Sequence, residues 1–179
     1  AEILDSVHKT LLKSLVSPGF AAVDGKKIVG FGFCDLLQNL PKYHQTISQL
    51  VEFTSAALIE PKHIESTLQS LSDYNKQEGI TGEVTLKPID NTFSRNLKMP
   101  TGNELYLFNL AVIPEYRGRG IGTELVKERL KIGEKLGVDA FFTDCWDGGS
   151  SRKIYEGLEF NPYLHYGIGF KTSLYFGKR

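Results

Sequence analysis

The sequence predicts an α/β domain with a mixed central sheet flanked by helices, and three observations lead there. Apolar runs of strand length occur at 20–23, 28–37, 105–112 and 138–144. Segments with helical apolar spacing alternate with the later runs, so the second half reads strand, helix, strand, helix, then strand. The 179 residues are enough for one such domain with its own core, and 1–179 is read as a single domain.

Each element follows from local pattern. Residues 2–15 place Ile3, Val7, Leu11, Leu12 and Leu15 at helical spacing, which predicts a first helix ended by Ser17-Pro18-Gly19. The apolar runs 20–23 and 28–37 flank Asp24-Gly25, a hairpin signal. A helical insertion is expected over about 38–103. It comprises a helix at 41–59, a second from Pro61 to Gln77, and a loop at 79–103 holding at most a short strand. The strand at 105–112 leads to a helix at 120–136 whose stripe is Ile121, Leu125, Ile132 and Leu136, with Gly137 as C-cap. A strand at 138–144, a short helix at 150–158 and one or two aromatic-rich strands complete the chain.

Composition narrows the partners. Acidic and basic residues balance at 21 each, which argues against a strongly basic nucleic-acid face. No apolar run approaches the roughly 20 residues of a membrane helix, and none reads as a signal peptide. Two cysteines far apart, Cys34 and Cys145, supply neither a disulfide framework nor a zinc site. The expectation is therefore a cytoplasmic protein with no metal, no nucleic-acid partner and no membrane partner. The chain starts at Ala1. Either a methionine was trimmed or an N-terminal segment, including a first strand and helix, is missing.

The most informative stretch is 116-YRGRGIGTELVKERL-130. Gly122 is followed by Thr-Glu, so a P-loop does not fit; Thr123 stands where a dinucleotide fingerprint needs its last glycine. The physics of the loop remains. A helix start carries unpaired N–H groups and partial positive charge, glycines let an anion reach the backbone, and Arg117 and Arg119 add charge beside it. That is a design for binding pyrophosphate.

Arg117-Gly118-Arg119-Gly120-Ile121-Gly122 resembles the R/Q-x-x-G-x-G/A acyl-CoA loop of the GCN5-related N-acetyltransferase (GNAT) superfamily. Leu110–Tyr116 resembles the lead-in L-x-V-x-P-x-Y of that family, and Ser151–Phe160 resembles its A-x-x-L-Y-E-K-L-G-F helix, with Glu159 in place of the last glycine. The resemblance implies direct transfer of an acetyl group from acetyl-CoA to an amine in a ternary complex, leaving coenzyme A. It implies cofactor binding by Leu110, Ala111, Val112, Arg117, Gly118, Arg119, Gly120, Ile121, Gly122, Thr123 and Arg152. Backbone N–H groups near Leu110–Val112 would stabilise the thioester oxygen, Val112 would pair with the pantetheine arm, and Asn109 falls where the family's strand often bulges. Tyr155 would protonate the leaving thiolate; a phenol titrates near 10 and stays protonated at neutral pH. Glu104, on the strand face of Tyr106 and Phe108, is a candidate base for the incoming ammonium, with His44, Asp144 and Asp147 as further candidates. The histidines share no spacing and read as surface or hydrogen-bonded side chains.

Within the superfamily the order of segments most resembles the invertebrate arylalkylamine (dopamine-type) N-acetyltransferases. That branch carries a serine pair before its last helix; here Asp147 and Ser151 stand at the matching positions, so Ser151 is the serine carried over as a catalytic candidate. A ring pocket could draw on Tyr43, Phe53, Tyr74, Phe93, Trp146, Tyr163 and Tyr166. Other acceptors (a polyamine, an amino sugar, a protein lysine or N-terminus) and a non-catalytic acyl-CoA sensor are the alternatives. A monomer and a homodimer are both compatible with the sequence.

Overall fold

The computed structural model describes residues 7–13, 18–79, 81–168 and 172–178. The chain divides into two compact units, one drawn from Ala1–Leu40, Gly102–Thr143 and Lys178–Arg179, the other from Pro41–Thr101 and Asp144–Gly177.

The first unit is built on strands β1 (Val7–Lys13), β2 (Pro18–Asp24), β3 (Lys27–Leu36) and β5 (Leu105–Val112), with β6 (Ala140–Trp146) starting in it. β1, β2, β3 and β5 pair antiparallel in that order, and β5 pairs parallel with β6. Helix α4 (Ile121–Leu136) crosses over between β5 and β6 and packs on β2, β3 and β5. Parallel neighbours need such a crossover, so the position of α4 in the chain sets its position on the sheet. A cluster of Ala22, Val29, Ile121 and Leu125, joined by Leu110, Val112 and Tyr116, fills the space between helix and strands.

The second unit holds α1 (Pro41–Ile59), α2 (Lys62–Gln77), β4 (Val84–Pro88), the single-turn α3 (Thr92–Arg95), α5 (Ser151–Gly157), β7 (Asn161–Ile168) and β8 (Thr172–Lys178). β7 pairs antiparallel with both β4 and β8. The middle segment is therefore two long helices, as expected, plus a strand that joins β7.

Two expectations fail. The predicted helix at 2–15 is a strand over Val7–Lys13, in register with β2 from Val7↔Asp24 to Lys13↔Pro18. Apolar residues four apart, such as Val7 and Leu11, share a helix face, but four is also an even number and so they share a strand face. Over seven residues the two periods are hard to separate, and pairing along the whole of β2 decides. Residues 2–6 and 14–15 lie outside the described residues. The stripe predicted for α4 is also displaced. Its buried residues are Ile121, Gly122, Leu125, Val126, Arg129 and Gly133, while Leu136 is exposed. The close approach of Gly133 to β6 sets that rotation: a Cβ there would collide with the Phe141 ring. Gly137 does cap the helix, at φ 68°, in a Schellman arrangement with Val138 N–H on Gly133 O and Gly137 N–H on Glu134 O.

Helix α5 ends the same way with a worse residue. Phe160 N–H reaches Tyr155 O, Glu159 N–H reaches Glu156 O, and Glu159 itself sits at φ 63°. A side chain in that left-handed conformation costs about 1 kcal/mol that glycine avoids. Glu159→Gly should therefore stabilise the protein by up to about 1 kcal/mol, with the entropy of the unfolded glycine offsetting part of the gain. The check is a urea denaturation midpoint; an unchanged or lower midpoint would refute the strain.

Candidate active site

The strand β5 supplies the first part of the site by failing to be regular. Phe33 pairs with Phe108 and Phe31 pairs with Ala111, so Gly32 stands opposite both Asn109 and Leu110. Asn109 takes φ 51° to accommodate the extra residue. The parallel ladder with β6 covers Leu105↔Phe141, Tyr106↔Phe142 and Leu107↔Thr143, and β5 itself runs on to Val112. The bulge expected at Asn109 is thus present, and beyond it Leu110 and Ala111 lie at the irregular end of the strand.

From Val112 the chain turns through Ile113 and a 3-10 turn at Pro114–Tyr116 into the glycine loop. Tyr116 anchors that loop. Its hydroxyl donates to Asp24 Oδ2 at 2.6 Å, and its ring packs into the core cluster. The bond to Asp24 raises the Tyr116 pKa above the usual phenol value, with burial adding to it. Arg119 stacks on the same ring at 4.9 Å and Lys27 lies 5.5 Å from its centroid. Arg117 Nε donates to Val112 O at 2.9 Å. The two loop arginines are therefore held by the loop itself, one on the backbone and one on the aromatic ring, and each contact uses only part of a five-donor guanidinium.

Gly118 and Gly120 adopt φ 74° and 82°, and a Cβ at either would meet nothing within 4 Å. Gly120 is the N-cap of α4 and provides no side-chain cap. The first intrahelical bond is Glu124 N–H to Gly120 O, so the amides of Ile121, Gly122 and Thr123 precede any intrahelical acceptor. An uncapped helix start with side-chain-free glycines, beside two arginines, fits a pyrophosphate such as that of acetyl-CoA. Leu110, Ala111, Val112 and Arg117–Thr123 are brought together in one unit.

The remaining sequence candidates have other surroundings. Glu104 precedes β5 instead of lying on its face with Tyr106 and Phe108. It is buried, its Oε2 accepts from Gly102 N–H at 2.9 Å, and its carbonyl accepts from Leu37 N–H. Tyr155, Ser151 and Arg152 belong to the second unit. Tyr155 is buried on α5 with its ring edge-on to Phe160 at 5.3 Å. The Ser151 hydroxyl is hydrogen-bonded to the Cys145 thiol, whose pKa burial nonetheless pushes up to about 12. Arg152 Nε donates to Glu156 Oε1 at 2.7 Å, and the Tyr175 hydroxyl donates to the same oxygen.

Two arrangements were not visible in the sequence. His165 Nδ1 lies 3.5 Å from Asp147 Oδ2, joining residues 18 positions apart through the path from β6 to β7. Phe31, Phe33, Phe108 and Tyr106 form a row of rings on β3 and β5, with centroids 5.7, 6.1 and 5.8 Å apart in succession. Period-2 spacing on two strands is the signal that could have suggested the row; only the register of β3 on β5 joins its halves. Among the described residues no group of three or more His, Cys, Asp or Glu side chains is placed to hold a metal, and no helix is long and apolar enough to cross a membrane.

The loop yields a direct prediction. Gly120→Glu would put a carboxylate in the open space and should weaken acetyl-CoA binding at least tenfold, about 1.4 kcal/mol, by calorimetry. Unchanged affinity in a folded variant would remove the loop from the coenzyme site.

Comparison with known proteins bears on the family and the fold. The chain matches a sequence profile described as the acetyltransferase (GNAT) family over residues 7–160. Among solved structures it is similar to Arabidopsis thaliana NAA60 in complex with acetyl-CoA, with a TM-score of 0.52 and 14% identity over 92% of this chain and 77% of that one. It is also similar to the same protein in complex with a bisubstrate analogue, with a TM-score of 0.51 and 16% identity over 90% and 75% of the two chains. At such identities these two likenesses speak for the fold. The sequence matches no curated protein. On the profile match over most of its length, this chain belongs to the acetyltransferase (GNAT) family.

Proposed function

We propose that the protein transfers the acetyl group of acetyl-CoA to a small primary amine, an arylalkylamine, in a ternary complex. The observation that carries the reading is the continuous run from the bulged end of β5 to the uncapped start of α4, with Gly118 and Gly120 left open between them. Acetyl-CoA supplies an activated thioester. The amides of Ile121, Gly122 and Thr123 hold its pyrophosphate, helped by the α4 dipole and the charges of Arg117 and Arg119. The backbone from Asn109 to Val112 provides N–H donors for the thioester oxygen as charge develops on it. The row Phe31, Phe33, Phe108 and Tyr106 supports an aromatic acceptor, because Phe108 directly precedes the bulge and Phe31 is exposed.

The proton inventory sets the other roles. An ammonium must lose one proton before it can attack, and the attacking nitrogen loses a second as the amide forms. Glu104 is the proposed acceptor of the first. The second balances the thiolate, with the Tyr155 hydroxyl as donor to sulfur. Ser151 and Arg152 lie one turn before Tyr155 on α5, and their side chains hold Cys145 and Glu156; their proposed part is to set that helix.

Two substitutions and a panel test the reading. Acetyl-CoA should be turned over fastest with dopamine or tryptamine, measured by thiol release against spermidine, glucosamine and an N-terminal peptide. A preference for any of the last three would overturn the arylalkylamine assignment; binding without turnover of any amine would favour an acyl-CoA sensor. Tyr155→Phe should lower kcat at least tenfold while leaving acetyl-CoA affinity within about twofold. Glu104→Gln preserves an oxygen for Gly102 N–H and removes the base, so turnover should fall at least tenfold at an unchanged melting temperature. Full turnover would clear Glu104 and direct attention to His165 and Asp147.

A further inference from the structure

Helix α4 buries an arginine where its stripe calls for an apolar side chain. Arg129 is 0% exposed, between Leu125 and Gly133 on the inward face. A buried guanidinium costs several kcal/mol of desolvation unless its donors are well used. Here Nε donates to Leu125 O at 3.1 Å, one turn back in the helix. Nη1 donates to Phe33 O at 3.0 Å and, over a longer 3.4 Å, to Phe108 O. Phe33 and Phe108 are the last regular pair before the bulge, on β3 and β5 respectively. The guanidinium thus spans the two strands at the point where their register breaks.

Gly32 makes room for it. A Cβ at Gly32 would stand 3.0 Å from Arg129 Cζ, 3.1 Å from Nε and 3.3 Å from Nη1. Gly32 is the residue that faces both Asn109 and Leu110 across the bulge. One glycine, one arginine and one strained asparagine therefore make a single device. A leucine at 129 would fill the stripe but leave the Phe33 and Phe108 carbonyls without this donor, and buried carbonyls need partners.

We infer that Arg129 is a positioning residue of acetyl transfer, clamping the bulged end of β5 from inside the fold so that its backbone donors hold their aim. The inference rests on the donor role proposed for Asn109–Val112. The peptide that joins Phe108 to Asn109 is planar and trans, so its N–H points opposite to its C=O. With the carbonyl drawn to the guanidinium, the Asn109 N–H is directed away from α4. A positive charge on the carbonyl end also polarises the peptide and strengthens its N–H as a donor. The clamp needs a planar fork reaching two carbonyls from a helix, which a lysine reproduces only in part.

The test uses Arg129→Lys, Arg129→Met and Gly32→Ala, the last displacing the guanidinium from the opposite side while Arg129 stays in place. All three should lower kcat, by at least tenfold for Arg129→Met and Gly32→Ala and by less for Arg129→Lys, with KM for the amine and acetyl-CoA affinity within about threefold. In the coenzyme-free protein the amide resonances of Asn109 and Leu110 should shift in each variant. If folded variants lose melting temperature but keep kcat and those resonances, Arg129 is only a core residue and the inference falls. Should Arg129→Met fail to fold, Gly32→Ala and Arg129→Lys decide alone. Should the unmodified protein turn over no amine, the transfer reading fails instead, and an unshifted Asn109 amide would then overturn the clamp as well.

Discussion

The first unit depends on the break in register between β3 and β5. A strand that is regular on both edges spends its backbone donors and acceptors on its neighbours and has none for a ligand. β5 escapes this by pairing with β6 for three residues only, and by placing one extra residue opposite Gly32. The irregularity is contained. Below it, Leu105 and Leu107 are buried and Thr143 Oγ1 donates to Leu107 O; above it, Ile113 N–H returns to Val29 O. The strand is thus pinned on either side of a short stretch that is not.

The glycine loop inherits its position from that strand. It leaves β5 directly, and its own fixed point is Tyr116, held at one end by Asp24 and along its ring by the core. Asp24 closes the hairpin between β2 and β3. The start of α4 is therefore tied to a hairpin far away in sequence, while a Cβ added at Gly118 or Gly120 would meet nothing within 4 Å. Rigidity comes from the flanks and access from the glycines. A binding loop needs both, since ordering a loose loop on binding costs free energy that a preset one does not.

The sequence was most legible where pattern and chemistry coincide. The glycines, the arginines and the strand-to-helix handover at 105–136 were readable because each residue type has a local reason to be there. Helices α1 and α2 were readable from long apolar periods. The first strand was not, because apolar spacing of four serves both a strand and a helix. The rotation of α4 was hidden for another reason: a stripe drawn through Ile121, Leu125, Ile132 and Leu136 favours apolar residues, and the true inward face includes an arginine and a glycine. Their burial follows from the β5 bulge opposite Gly32 and from the Phe141 ring, both set by other strands. The ring row and the His165–Asp147 pair depend likewise on contacts between residues distant in sequence.

The two cysteines bear on the chemical safety of such an enzyme. Both are buried, and burial pushes each thiol up to about 12. At neutral pH that keeps both thiols almost entirely protonated, where an ordinary cysteine is a few per cent thiolate. Acetyl transfer releases coenzyme A, itself a thiol; once oxidised to its disulfide, it exchanges with a protein cysteine only through attack by that cysteine's thiolate. Cys34 and Cys145 are thus poorly suited to mixed disulfides with oxidised coenzyme A. Packing that serves the core also keeps the protein chemically inert toward its own leaving group.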